Sequence, residues 1–335
     1  MRILFIANYA EGVGGISVQV GLLKEKLAKD GHECRIVSTK GSVWKRLKAF
    51  FWILFNGKKF DVFHIHACSG TGFFPAIVGI TTGRLLHRRT VLTYHGGGAE
   101  GYFKKRKCLV RHFLTRTDVN IVLSGFIGRV FDRFNLPYTI IPNIIELNSA
   151  HFRKRTSFKP EFISIRSLTA TYNVECTLRA FKAVLQKYPE SRLVLLGDGD
   201  LRMSLESLAV ELGVSGQVEF KGQVSNAEIY DYLDKTDIMV SSSRFDNMPV
   251  SILEGFNAGL LVIASNVGGV PYMIHNGENG LLFENDNDSE LARKMIYALD
   301  HPVEASTMTE AAYNSLAQYS WEDCREKLIH AYSGK

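Results

Sequence analysis

The sequence predicts an α/β protein made of two Rossmann-like, doubly wound domains that face each other across a cleft. Three observations support this prediction. Short β-branched runs alternate with longer amphipathic runs, the alternation stops once and restarts, and the short runs are nearly continuous apolar stretches. Such runs are typical of parallel strands covered on both faces. A length of 335 residues suits two domains of about 150 residues each.

The order of the elements follows from the same pattern. In the first half a helix at 16–29 is ended by Gly31, and the final helix covers about 321–332. The stretch 142–160 lacks periodicity and is the predicted linker. We therefore expect domains at 1–150 and 151–318, with 319–335 packing back across them. The predicted strands are 3–7, 34–38, 62–66, 91–94, 119–123, 138–141, 162–165, 193–196, 218–220, 238–241 and 261–264.

Composition argues against several classes of protein. No run of about 18 apolar residues occurs, so no membrane-spanning helix is expected. The N-terminal run leads into a Gly-rich turn and is not predicted to be a signal peptide. The five cysteines have neither metal-ligand nor redox spacing, which predicts reduced thiols in a cytoplasmic protein.

Charge is distributed unevenly along the chain. Residues 1–150 carry 22 Lys and Arg against 9 Asp and Glu, whereas the remainder is acidic overall. A basic half indicates an anionic partner or, alternatively, only a solvated surface. The segment 42–60 holds five basic and six aromatic residues, which fits either a helix lying on a membrane surface or a buried helix. A second basic cluster lies at 104–116, and no nucleic-acid-binding module is recognisable.

Three Gly-rich turns follow predicted strands. The first, Gly12-Val-Gly14-Gly15, precedes a helix and suits close approach of a phosphate or a plain tight turn. The second, His95-Gly-Gly-Gly98, resembles an esterase oxyanion motif, but the chain has no G-x-S-x-G nucleophile. His95 is therefore interpreted either as a strand-end residue that points toward the cleft or as a buried structural histidine. The third turn, Gly197-Asp-Gly199, is a candidate lining of the cleft.

The most informative segment runs from Ser241 to Gly259. A strand enters a polar loop, Pro249 is placed at the first helical position, and Gly259 suits the helix end. The backbone N–H groups of three residues are expected at this helix N-terminus, where a diphosphate gains about 0.3 to 2 kcal/mol. These residues are Met248, Val250 and Ser251. Asp246 is a candidate for accepting hydrogen bonds from the sugar, and Glu254 for accepting them from ribose hydroxyls. Alternatively, Asp246 caps the helix and Glu254 faces solvent.

Together these motifs resemble the family 4 glycosyltransferases, which have the two-domain GT-B fold. Asp246 and Glu254 match the family's E-x7-E signature, with Asp in place of the first Glu. The other matching motifs are Gly14-Gly15, His66, His95-Gly96, Arg166, Gly197-Asp-Gly199 and Tyr319-Ser-Trp-Glu322. The resemblance covers nearly the whole chain.

The resemblance implies a role for each matching residue. Arg166 would contact the donor diphosphate, Glu254 the ribose, and Asp246 with Asn247 and the following amides the sugar, with His95 near the sugar's reacting face. Gly14, Gly15 and Gly197 would line the donor site. The family implies retention of configuration, no cofactor and no metal. Two D-x-D runs, Asp198-Gly-Asp200 and Asp286-Asn-Asp288, are interpreted as turns.

The sequence departs from the family pattern in three ways. No Lys follows Arg166 at the usual spacing, and Tyr172 stands in its place; the first acid is Asp; and Asn247-Met248 replace Gly-Phe. The predicted function is retaining transfer from a UDP- or GDP-linked sugar to a hydroxyl of a glycan or lipid-linked acceptor. The family analogy places it in polysaccharide or lipopolysaccharide assembly on the cytoplasmic membrane surface. The alternatives are a nucleotide-sugar epimerase, a sugar phosphorylase, or a silent binding module.

Overall fold

The computed structural model describes residues 1–11, 14–147 and 152–334, and it divides into two compact units. The first holds Met1–Ile144 and Gln318–Lys335, and the second holds Ile145–Ala317. The final helix thus belongs to the first unit. Each unit contains a six-stranded parallel sheet with helices, so the predicted α/β class is confirmed.

The first unit has strand order β2-β1-β3-β4-β5-β6. Successive residues of β1 alternate between the two faces of the sheet, and both faces are buried. Leu4 packs in the core on one face, whereas Phe5 packs with Trp321 of the final helix on the other. Its elements are β1 (Arg2–Ala7), α1 (Gly15–Lys29), β2 (Glu33–Ser38), α2 (Val43–Asn56), β3 (Val62–Ala67), α3 (Phe74–Leu86), β4 (Arg89–Tyr94), α4 (Ala99–Lys105), α5 (Lys107–Leu114), β5 (Val119–Val122), α6 (Gly125–Arg133), β6 (Thr139–Ile140) and, at the chain's end, α13 (Trp321–Ser333).

The second unit has strand order β12-β11-β10-β7-β8-β9. The strand order reverses between β7 and β10, which creates a crevice at their carboxyl ends, where ligands bind in such sheets. Its elements are β7 (Glu161–Ile165), α7 (Val174–Lys187), β8 (Arg192–Leu196), α8 (Arg202–Glu211), β9 (Val218–Gly222), α9 (Asn226–Lys235), β10 (Ile238–Ser241), α10 (Val250–Asn257), β11 (Leu261–Ser265), β12 (Leu281–Phe283), α11 (Asp288–Asp300) and α12 (Pro302–Asn314).

Two features of these elements were not predicted from the sequence. Strand β12 was not predicted, because three apolar residues after Gly280 are too few to show a pattern. The predicted linker 142–160 is partly structural. Arg155 is buried and its guanidinium bonds Asp237 and the carbonyls of Thr236 and Ala258, which ties this stretch to the second unit. Residues 148–151 of that linker lie outside the described residues.

Candidate donor site and histidine cluster

The polar loop after β10 leads directly into helix α10. Pro249 is the N-cap of this helix, with φ −66° and ψ 118°, and the first helical residue is Val250. The prediction that Pro249 begins the helix is therefore wrong by one residue. The N–H groups of Val250 and Ser251 donate to no group among the described residues. Asp246 does not cap α10, because its Oδ1 accepts from the Asn247 N–H at 2.8 Å.

Arg166 is the central cation of this region. It follows β7, and its Nε and Nη2 donate to the Ser241 hydroxyl at the end of β10, at 3.1 and 2.8 Å. Its Nη2 lies 3.5 Å from Asp246 Oδ2. The side chain of Arg166 is only 9% exposed and that of Asp246 18%, so their attraction is weakly screened. The two strand ends thus bring a buried guanidinium and a carboxylate together at the topological switch point.

Both predicted acids are half-buried and interact electrostatically with this guanidinium. Burial raises the pKa of Glu254 to about 7, and Arg166 opposes the shift. Burial also raises the pKa of Asp246, with opposing contributions from Arg166 and from the Asn247 N–H. Glu254 is half-buried, so it does not merely face solvent. Around neutral pH this carboxyl changes charge, so the site has two acids but less than two full negative charges.

Two glycine turns shape the region. A Cβ on Gly197 would lie 2.1 Å from the Arg166 carbonyl oxygen, and one on Gly268 would lie 1.9 Å from the Asp246 carbonyl oxygen. Both glycines also have positive φ, +132° and +55°. Any side chain would push Arg166 or Asp246 out of place. The turn at Gly268 was missed by the sequence analysis; paired glycines after a buried strand are the signal that could have found it.

Tyr172 and Ser241 complete the surroundings of Arg166. The guanidinium carbon lies 5.5 Å from the centre of the Tyr172 ring, within the range of a cation–π contact. In the sequence Tyr172 stands out only as the residue in the position where Lys is usual, and Ser241 has no predicted role. A hydroxyl residue ending a buried strand is the signal that could have identified Ser241.

The first Gly-rich turn lies at the start of α1. Gly14 is the N-cap of this helix, with φ 81°, and Gly15 is its first residue. The Gly14 carbonyl accepts from the Val18 N–H at 3.1 Å. Gly12 lies outside the described residues. The described part is thus an uncapped helix N-terminus whose glycines carry no side chain that would hinder a phosphate.

Three histidines cluster at the ends of β3 and β4. His66 Nδ1 lies 2.8 Å from His95 Nε2, so one of the two nitrogens donates to the other. His64 bonds the Thr93 hydroxyl at 2.8 Å and the Tyr332 hydroxyl at 2.7 Å. Burial lowers the pKa of His64 to about 3 and that of His95 to about 4, and it lowers the pKa of His66 well below 6.5. The cluster is therefore neutral at physiological pH.

A small cavity adjoins this cluster within the first unit. It measures about 20 Å³, which is room for about one water molecule, and Gln19, His66 and His95 are among its lining residues. His66 Nε2 is buried and has no hydrogen-bond partner among the described residues. His95 itself is partly exposed. Of the three histidines, His95 is the one that is not fully buried as a residue.

Two models of known protein families match this chain. The model for glycosyl transferases group 1 matches residues 149–315, and the model for Glycosyltransferase Family 4 matches residues 39–149. The chain belongs to the family 4 glycosyltransferases. The enzyme is similar to an alpha-monoglucosyldiacylglycerol synthase of Acholeplasma laidlawii, with 24% identity over 96% of this chain and 94% of that protein.

Further similarities agree with this assignment. An uncharacterized glycosyltransferase of Methanocaldococcus jannaschii is 28% identical over 49% of this chain, although the aligned part is only 42% of that protein. The solved structure of Anabaena HepE in complex with UDP-glucose superposes with a TM-score of 0.81 at 16% identity, covering 100% of both chains. The glycosyltransferase thus has the GT-B fold, as predicted.

The remaining polar motifs of the glycosyltransferase have structural partners. Asp286 accepts from Asn173 Nδ2 at 2.7 Å and from Arg244 Nε at 2.8 Å, so it holds two loops together. Asp198 Oδ1 accepts from the Gly199 N–H within the turn. Among the described residues, no group of three or more His, Cys, Asp and Glu is arranged to hold a metal ion. All five cysteines are free thiols.

Helix α2 of the glycosyltransferase exposes large apolar side chains. Trp44 is 76% exposed, Phe51 51% and Phe55 78%. The alternative in which the aromatic residues of this helix all belong to the core is therefore wrong for these three rings. Ala49 and Ile53 are buried, and Phe50, Trp52 and Leu54 are half-buried against the core. Within the described ranges, no helix is both long and apolar enough to cross a bilayer.

Proposed function

We propose that the enzyme transfers a sugar, with retention of configuration, from a UDP- or GDP-linked donor to a hydroxyl acceptor. The observation that carries this proposal is the largely buried Arg166 side chain beside Asp246, with Glu254 in electrostatic contact, at the switch point of the second sheet. A guanidinium beside an open helix N-terminus is suited to a diphosphate, and flanking carboxyls are suited to hydroxyl groups. Neither a metal ion nor a cofactor has a part in the proposal.

Each group has a distinct task in the proposed reaction. The bond between the sugar's anomeric carbon and the diphosphate oxygen breaks, and negative charge develops on the leaving diphosphate. The acceptor's hydroxyl oxygen forms the new bond to that carbon on the same face, and its proton passes to the leaving diphosphate. Arg166 and the free N–H groups of Val250 and Ser251 stabilise that charge. Glu254 accepts hydrogen bonds from the ribose hydroxyls, and Asp246 accepts them from the sugar. By family resemblance His95 contacts the sugar near its reacting carbon. Because Glu254 is only partly ionised, the site carries less negative charge, which offsets the lack of a second cation.

The test is a panel of UDP-, GDP-, ADP- and dTDP-sugars, each with and without glycan and lipid acceptors. Acceptor-dependent nucleotide release, with an anomeric centre of unchanged configuration in the product by NMR, is the expected result. Sugar interconversion without release would indicate an epimerase, and orthophosphate-dependent cleavage a phosphorylase. Inversion of the product would refute the retaining mechanism, and binding without turnover across the panel would refute transfer.

We propose further that the acceptor is lipid-linked and that α2 rests on an anionic membrane surface on the cytoplasmic side. The exposed Trp44, Phe51 and Phe55 supply an apolar stripe, and Lys45 and Lys48 lie on the same helix. Exposed cations at 104–107 and at Arg111 add to the positive surface of the first unit. Such an acceptor fits glycolipid, polysaccharide or lipopolysaccharide assembly.

Vesicle flotation tests this membrane contact. Wild-type enzyme is expected to float with vesicles that contain phosphatidylglycerol but not with phosphatidylcholine alone. Trp44→Ser with Phe55→Ser should reduce the bound fraction at least fivefold, since two large apolar side chains leave the interface. A matched control, Met203→Ser with Val303→Ser, alters equally exposed apolar residues of the second unit. Equal losses in the two double variants would contradict the assignment of α2.

A further inference from the structure

Tyr172 lies in a segment that the donor loop itself holds in place. The Tyr172 carbonyl accepts from the Ser242 hydroxyl at 3.2 Å, and its N–H donates to the Thr169 carbonyl at 3.1 Å. The neighbouring Thr171 carbonyl accepts from the Arg244 N–H at 2.8 Å. The loop between β7 and α7 is therefore fixed to the same loop that carries Asp246. Its position is set by several hydrogen bonds rather than by packing of the ring alone.

The Tyr172 ring and the edge contacts of Arg166 restrict different motions. Ser241 and Asp246 bind the Nε and Nη2 edge of the guanidinium, whereas the ring lies 5.5 Å from the guanidinium carbon. The Nη1 group of Arg166 donates to no acceptor among the described residues. The guanidinium is thus held on one edge and by one ring, and Nη1 is available for an anion.

The phenol hydroxyl of Tyr172 has no hydrogen-bond partner within the described part of the chain. Burial raises the pKa of this phenol, and nearby Asp246 raises it further, while Arg166 lowers it. The hydroxyl therefore stays protonated at physiological pH and is a donor. A neutral donor beside Arg166 gives a phosphate oxygen a second hydrogen bond without adding a charge that Asp246 would neutralise.

We propose that Tyr172 is a phosphate-recognition residue of the donor site: its ring steadies Arg166 and its hydroxyl donates a hydrogen bond to the donor's diphosphate. The assignment rests on the proposed function, since it needs a nucleoside diphosphate in this site. It also predicts which part of the ligand Tyr172 recognises. The hydroxyl contributes to binding of the diphosphate and contributes nothing to binding of the base and ribose.

Calorimetric titration with UDP, GDP, ADP and dTDP and with the corresponding nucleosides tests the assignment. For the nucleotide that binds most tightly, Tyr172→Phe should weaken binding on the order of tenfold, since a hydrogen bond to a charged group is lost. Binding of the matching nucleoside should change less than twofold. Tyr172→Leu, which also removes the ring, should weaken nucleotide binding a further severalfold. Tyr188→Phe is the matched control, because its hydroxyl bonds Asp300 at the far end of α7.

The outcomes separate the two proposals. If wild-type enzyme binds a nucleotide and Tyr172→Phe binds it equally well, or if the nucleoside loses as much as the nucleotide, the assignment of Tyr172 is overturned and the donor site stands. If wild-type enzyme binds none of the four nucleotides, the proposed function fails and the assignment with it. Thermal unfolding of each variant shows whether the fold is intact, and Tyr172→Leu provides a second reading if the Phe variant is unstable.

Discussion

The two units carry polar clusters at equivalent places, the carboxyl ends of buried parallel strands, but the clusters differ in charge. In the second unit Arg166 lies with Asp246 and Glu254, and Glu254 has a pKa of about 7. In the first unit His66 and His95 bond each other, with pKa values lowered by burial. Burial acts on both clusters, yet only the second contains a permanent cation.

This difference shows how burial selects chemistry. Desolvation disfavours the charged form of every titratable group. It therefore keeps the buried histidines neutral, whereas the carboxyls near Arg166 keep part of their negative charge because the guanidinium stabilises it. A charged cluster is suited to a diphosphate. A neutral histidine cluster donates and accepts hydrogen bonds, which suits hydroxyl groups. The predictions below test that division, from the largest expected effect to the smallest.

Arg166→Lys should have the largest effect. Lysine keeps the charge near Asp246 but loses the planar fork that bonds Ser241, so nucleoside diphosphate binding should weaken on the order of a hundredfold. Isothermal titration measures it. Arg179→Lys is the matched control, because Arg179 makes a similar two-nitrogen contact to Glu175 on the surface of α7. A loss of less than threefold in Arg166→Lys would show that this cation does not hold the diphosphate.

The pH dependence of nucleotide binding should follow the ionisation of the Glu254 carboxyl. Only the ionised carboxylate accepts hydrogen bonds on both oxygens from ribose hydroxyls. With a pKa of about 7, affinity should rise about tenfold from pH 6 to pH 8 and then level off. Glu254→Gln should remove this dependence, which titrations at four pH values would show. A wild-type affinity that stays flat from pH 6 to pH 8 would refute the ribose contact.

His66→Phe should have a smaller and different effect. The substitution removes the hydrogen bond that orients His95 and leaves the second unit untouched. We expect the transfer rate to fall about three- to tenfold, the cost of one neutral hydrogen bond, while nucleotide affinity stays within twofold. Steady-state kinetics with a binding titration separate the two quantities. Equal losses of rate and nucleotide affinity would show that His66 acts on the donor or on the fold.

The smallest effect is a predicted absence of titration. Because burial lowers the pKa of His64 to about 3 and of His95 to about 4, neither ring should gain a proton between pH 8 and pH 5.5. The imidazole proton resonances of both rings in NMR should stay constant over that range. A midpoint near pH 6.5 for His95 would remove the charge difference between the two clusters.

Much of the donor site was predictable because its signals are local. Asp246 and Glu254 occur at a fixed spacing around a helix start, and Arg166 follows a buried strand. The carboxyl ends of parallel strands meet at one edge of a sheet, and the resemblance to the family placed Arg166 with the two acids at that edge. The error at Pro249 is of the same local kind. A proline fits either the cap or the first turn, and the backbone angles decide between them.

The face that α2 exposes was not predictable, because its apolar residues fit a buried helix as well as a surface one. Packing buries Ala49 and Ile53 and half-buries Phe50, Trp52 and Leu54, whereas Trp44 and Phe55 stay exposed. Periodicity records which residues share a face of the helix. The neighbouring elements decide how wide the buried stripe becomes.

The sequence by itself determined the two parallel sheets, the start of a helix near Pro249 and the identity of the charged groups, because each depends on residues close together in the chain. Only the tertiary structure decided that Tyr172 lies against Arg166, that Ser241 fixes the guanidinium, and that burial moves the pKa of Glu254 to about 7 while it discharges His95. Those properties depend on strand order and on the depth of burial, and both arise from contacts between residues far apart in the chain.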